Sequence, residues 1–170
     1  GGSEGQPTLF DRCLGAGWLG LHLLESNGLP GRSGLARRLN RSAGLGQGWG
    51  IYLRDLLVRD AELASPEREA ALLLHNLGQF RRALLDVDLH DAGLSYKEAL
   101  VRVGEIPWVG PERAHFELVR ICREPGEALA GAMGGLLIEA GRRRLEPELG
   151  RREFHDRLLR QGSVALPLVL

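Results

Sequence analysis

Asp86 and His90 stand four residues apart, so on a helix they share one face. That spacing suits an aspartate that orients an imidazole, a pair of metal ligands, or a helix-surface ion pair. His22 and Glu25, three residues apart, offer the same chemistry from a stretch otherwise nearly bare of it. Across residues 13–25 every other side chain except the Cys13 thiol is apolar or absent. Trp18, Trp49, Tyr52 and Trp108 are the aromatics that could line an apolar pocket or fill a core. Phe154-His155-Asp156 reads as helix surface. The arginines at 142–144, 151 and 152 alternate with Glu146, Glu148 and Glu153, which reads as a solvated face and not a phosphate site. No Cys-x-x-Cys, phosphate-binding glycine loop, His-Glu-x-x-His or nucleophile elbow occurs.

The elements that must carry these residues read as helices. Residues 9–25 form an expected helix closed by Asn27-Gly28, with glycines at 15, 17 and 20 inviting close approach of a neighbour or a ligand. A short basic helix follows near 32–41, and Gly44-Leu45-Gly46 is expected to break the chain again. Trp49, Tyr52, Leu53, Leu56 and Leu57 then recur at helical spacing, with Arg54, Asp55, Arg59 and Asp60 on the other side. Ser65-Pro66 is a helix start, and Leu73, Leu77, Phe80, Leu84 and Val87 carry that helix towards Gly93. Ser95 and Glu98 predict a capping box, ended by Gly104. Residues 106–110 read as an extended connector, and Pro111 opens a helix to about Arg123.

From Pro125 a further helix carries Ala128, Leu129, Ala132, Met133, Leu136, Leu137 and Ala140 as a core stripe thinned by glycines, ending at Glu146-Pro147. A last helix covers 151–160, and 164–170 is an apolar tail. The expected fold is all-α: one orthogonal bundle of about seven to eight helices over 9–170, around the central glycine/alanine-rich helix. Residues 1–8 are set aside as an artificial or flexible lead, since Gly1-Gly2-Ser3-Glu4-Gly5 reads as a scar or a cut edge.

Composition narrows the partners. Lys+Arg and Asp+Glu both total 22, which argues against nucleic acid and against an anionic membrane surface. No apolar run reaches the roughly 18 residues of a membrane span. Two cysteines and no signal peptide point to the cytoplasm.

Three stretches, Gly46-Gln47-Gly48-Trp49-Gly50-Ile51-Tyr52, the run from Arg82 to His90, and Pro125-Gly126-Glu127-Ala128-Leu129-Ala130, resemble in order and spacing the C-terminal part of the bacterial family called domain of unknown function 885. Phe154-His155-Asp156 and the closing residues 162–170 also look like that family's end. The resemblance implies a helical, zinc-metallopeptidase-like ancestor with a His-Glu-x-x-Pro-Gly-His-His stretch, a later Glu-Gly-Trp-Ala-Leu-Tyr and a tyrosine beyond Pro-Gly-Gln-Ala. This chain departs at each. Gly15 stands where that pattern has its first metal histidine, Ala16 where it has its base, and Leu21 and His22 where it has a histidine pair. Gln47 replaces the glutamate and Gly131 the tyrosine, while His22, Arg82, Asp86, His90 and Arg120 survive.

A catalytic zinc needs about three protein ligands and a base for its water, so no metal and no cofactor are expected. The resulting expectation is a non-catalytic remnant that binds a partner subunit or a second copy, with an apolar cavity at the former site. The alternative is a metal-independent enzyme acting on a small, largely apolar molecule, with His22, Asp86 and His90 as acid-base groups and Trp18, Trp49, Tyr52, Arg82 and Arg120 binding it.

Overall fold

The computed structural model describes residues 42–59, 64–160 and 165–168. Six α-helices are present among them: α1 (Ala43–Val58), α2 (Pro66–His90), α3 (Tyr96–Gly104), α4 (Pro111–Arg123), α5 (Glu127–Leu149) and α6 (Arg151–Arg160), followed by a 3-10 turn, Leu166–Leu168. The protein is all-α, and no strand occurs among the described residues. The helices expected over 9–25 and 32–41, with His22 and Trp18, lie outside the described residues. Among those described, no helix is long and apolar enough to cross a membrane.

Local chemistry sets the starts. Ser42 Oγ accepts the Leu45 N–H at 3.2 Å, and Ser65 Oγ accepts that of Arg68 at 3.3 Å. At α3 the reciprocal capping box forms: Ser95 Oγ accepts the Glu98 N–H at 3.3 Å, and Glu98 Oε2 accepts the Ser95 N–H at 3.1 Å. Three boundaries differ from expectation. Gly44-Leu45-Gly46 lies inside α1, α2 stops at His90, and α5 runs past Pro147 to Leu149. Pro147 is tolerated so near the end because its missing N–H costs α5 a single hydrogen bond, to the Arg143 carbonyl.

The glycine-rich α5 is the hub of the bundle. Its glycines lie against α1 at backbone distance: a Cβ on Gly134 would sit 1.9 Å from the Gly44 carbonyl oxygen, and one on Gly48 would sit 2.5 Å from the Gly134 carbonyl carbon. Around this seam one core gathers Leu45, Trp49, Tyr52, Ile138, Phe154, Leu158 and Leu166. A second core, from Leu85, Ala99, Val103, Ile106, Val109, Ala114, Leu118 and Ile121, ties α2 to α3 and α4.

Of the stripe expected as the core face of α5, Ala132 is buried, but the large side chains are not. Leu129, Met133, Leu136 and Leu137 are exposed, at 37 to 50%, while Gly131, Gly134, Gly135 and Ile138 are buried. Small residues win the inward position because two helix backbones this close leave no room for a side chain. On α2 the corresponding row is also exposed, with Leu73 at 61% and Leu84 at 66%.

Candidate functional site

Where the carbonyl end of α2 meets the start of α5, the Asp86 carboxylate is buried at 2% exposure. Gly126, held at φ 80°, gives α5 no side-chain cap, so the first N–H groups of that helix need an acceptor from elsewhere. Asp86 supplies it across the fold: its Oδ1 accepts the Gly126 N–H at 2.9 Å, and its Oδ2 accepts that of Leu129 at 3.3 Å. A negative charge at a helix N-terminus is favoured for the same reason. His90 Nδ1 lies 2.9 Å from Asp86 Oδ1. The i, i+4 pair is therefore formed, and its carboxylate is already committed to backbone.

Beside it, Arg82, 7% exposed, gives its Nε–H to Glu117 Oε2 at 3.1 Å, and Arg120 Nη2 reaches the same oxygen at 3.3 Å. Gln47 Nε2 donates to Glu127 Oε1. A hydrogen bond with Glu124, burial and the Glu124 charge hold the Glu127 carboxyl above its ordinary range. These residues enclose a cavity of about 40 Å³ lined by Gln47, Gln79, Arg82, Arg120, Glu124 and Glu127, with Ile121 and Ala128 at its side. It is small, and its wall is mixed polar and apolar. Gly131 packs against the Gln47 side chain, whose Oε1 would lie 2.8 Å from a Cβ there and would have to move aside for one.

Trp49 and Tyr52 do not line this cavity. Both are buried in the first core, at 6 and 2% exposure, and Tyr52 Oη lies 2.6 Å from His155 Nε2. His155, read from sequence as surface, is half-buried and edge-on to Trp49 at 5.9 Å. Burial pushes the Tyr52 hydroxyl well above its usual range and His155 below. The two residues are 103 positions apart, a separation that local spacing does not bridge.

A second cluster was also missed. His75 stacks on Trp108, ring centroids 5.6 Å apart and planes 7° from parallel, and lies 2.9 Å from Gln79 Nε2. Trp108 holds φ 60°, a turn where an extended connector was expected, and its ring edge would be 2.7 Å from any Cβ on Gly78. Burial first, then the charges of Arg54 and Arg82, lowers His75 to about 4 from 6.5. The unfolded chain binds that proton below about pH 6.5 and the folded chain only near 4, so stability falls across this window and is unaffected above it. Urea unfolding at stepped pH should show this slope, and His75→Gln should flatten it.

Arg54, expected on the solvent side of α1, turns inward. Its Nε and Nη1 are buried with no hydrogen-bond partner among the described residues, and burial lowers its pKa. Two guanidinium nitrogens buried without an acceptor in this way destabilise the fold. Arg54→Met should raise unfolding stability by about 1 kcal/mol; a loss in a denaturant titration would show that the charge is satisfied.

Among the described residues no group of three His, Cys, Asp or Glu side chains could hold a metal ion. The model of a family described as "Bacterial protein of unknown function (DUF885)" matches residues 21–169. No curated protein and no solved structure matches the chain.

Proposed function

We propose that this chain, which belongs to the bacterial DUF885 family of unknown function, is a non-catalytic binding subunit that pairs with a second copy of itself through the apolar face of α2 and α5. The observation that carries this reading is the exposure of Leu73, Leu77 and Leu84 on α2 together with Met133, Leu136 and Leu137 on the neighbouring α5. Apolar side chains left exposed on two neighbouring helices favour association when a matching surface can cover them. The balanced charge of the chain, 22 acidic against 22 basic residues, places no electrostatic barrier against self-pairing.

The polar residues beneath the start of α5 support the non-catalytic half of the reading. Asp86 caps a helix, Arg82 and Arg120 share Glu117, and Gln47 is bonded to Glu127. A general base must be within reach of a substrate proton, and the buried Asp86 carboxylate already accepts from two backbone N–H groups and faces His90. The metal-independent enzyme would need these groups released.

Light scattering tests the pairing. The chain should run at about twice its 18.6 kDa at micromolar concentration, and Leu84→Arg with Leu136→Arg should run at the single-chain mass with an unchanged helical spectrum. A wild-type chain that stays monomeric at high concentration would remove the reading.

A further inference from the structure

A second cavity lies on α5, far from Asp86. It encloses about 140 Å³ between the end of α1, the second half of α5 and the start of α6, and is lined by Asp55, Leu56, Arg59, Glu139, Arg142 and Arg151. That is roughly ten times the 10–15 Å³ that one water requires. Its charges are not equally engaged. Arg142 is the most engaged: Nε and Nη2 bond Glu139 at 2.9 Å, and Nη1 bonds Glu146 at 2.6 Å. Glu139 also receives Arg143 Nε at 2.8 Å, and Asp55 Oδ1 accepts from Asn76 Nδ2 at 2.9 Å.

Arg59 and Arg151 are different. The guanidinium of Arg59 approaches Asp55 no closer than 3.9 Å, and among the described residues Arg151 bonds through its Nε, to Glu146 at 3.3 Å. Their side chains are 65 and 59% exposed, so their remaining N–H groups can reach a bound molecule. With Glu146 bonded to Arg142 and Arg151, three carboxylates balance the three guanidiniums in charge, and what remains at the lining is a surplus of N–H donors on Arg59 and Arg151.

We infer that this cavity is a binding site for a small oxyanion, a phosphate or a dicarboxylate, gripped between Arg59 and Arg151 beside the apolar wall of Leu56. Guanidinium groups suit both anions because their N–H groups match paired oxygens. The site lies apart from the face on which the pairing rests, so the two stand or fall separately.

The test uses the whole chain with inorganic phosphate and, separately, succinate, reading the arginine Nε–H signals by NMR. Saturable shifts at Arg59 and Arg151, with dissociation constants of about a millimolar or tighter, are expected for at least one of the two anions. Arg59→Gln and Arg151→Gln should each weaken binding about tenfold, and melting temperatures will show that both variants remain folded. Phosphate alone saturating would assign a tetrahedral oxyanion, succinate alone a dicarboxylate. Shifts that never saturate with either anion, or binding unchanged in both variants, would overturn the assignment.

Discussion

Gly134→Ala is expected to be the most damaging single methyl group in the protein, costing about 3 kcal/mol or more of folding stability. The added Cβ would fall 1.9 Å from the Gly44 carbonyl oxygen and 2.7 Å from its carbon, both backbone atoms that no rotamer change can move. Relief requires α1 and α5 to separate, and the first core, which spans both, would open with them. The matched control is Gly46→Ala or Gly50→Ala, where nothing lies within 4 Å of the new Cβ. There alanine should stabilise α1 by up to about 1 kcal/mol, because it narrows the unfolded ensemble and favours helix. Urea unfolding of the three variants separates the outcomes. Equal behaviour of Gly134→Ala and Gly46→Ala would mean that the helices do not meet at this seam.

Asp86→Ala should cost about 3 kcal/mol, since it leaves the Gly126 and Leu129 N–H groups without an acceptor and removes the partner of His90. Asp86→Asn is the sharper variant. The amide oxygen keeps one backbone bond, while the amide nitrogen turned towards the other N–H sets donor against donor, so about half the loss is expected to remain. Hydrogen exchange locates the effect: faster exchange should appear first at the amides of Gly126 to Leu129, the start of α5. Uniform loosening elsewhere, with those amides still protected, would show that another group caps the helix.

Local signals in the sequence were enough for the elements whose ends are set by neighbours along the chain. Ser65-Pro66, the Ser95/Glu98 box and Pro111 each place a helix start within one residue of where it lies. The start of α1 was hidden for the opposite reason. Gly44, Gly46, Gly48 and Gly50 lower its intrinsic helicity, and contact with α5 overrides that penalty at Gly44 and Gly48. The same blindness reversed the faces of α5. Periodicity weighs apolar bulk, so Leu129, Met133, Leu136 and Leu137 looked like core, whereas backbone contact selects the glycines.

At the site, spacing sufficed for the pairing of Asp86 with His90, four residues apart. It gave no sign that Asp86 reaches a helix start 40 residues on, or that Arg54 turns inwards. Those roles depend on which helices meet, and local patterning does not carry that information.

Met133 is the single methionine of the chain and sits on the proposed pairing face at 46% exposure. Its methyl group, labelled with carbon-13, gives one NMR signal from the place that matters most. Pairing predicts that a soluble paramagnetic probe broadens this signal in dilute protein and in Leu84→Arg, and spares it at concentrations where the mass doubles. A Met133 methyl equally open to the probe at every concentration, or equally shielded at every concentration, would contradict self-pairing through α2 and α5.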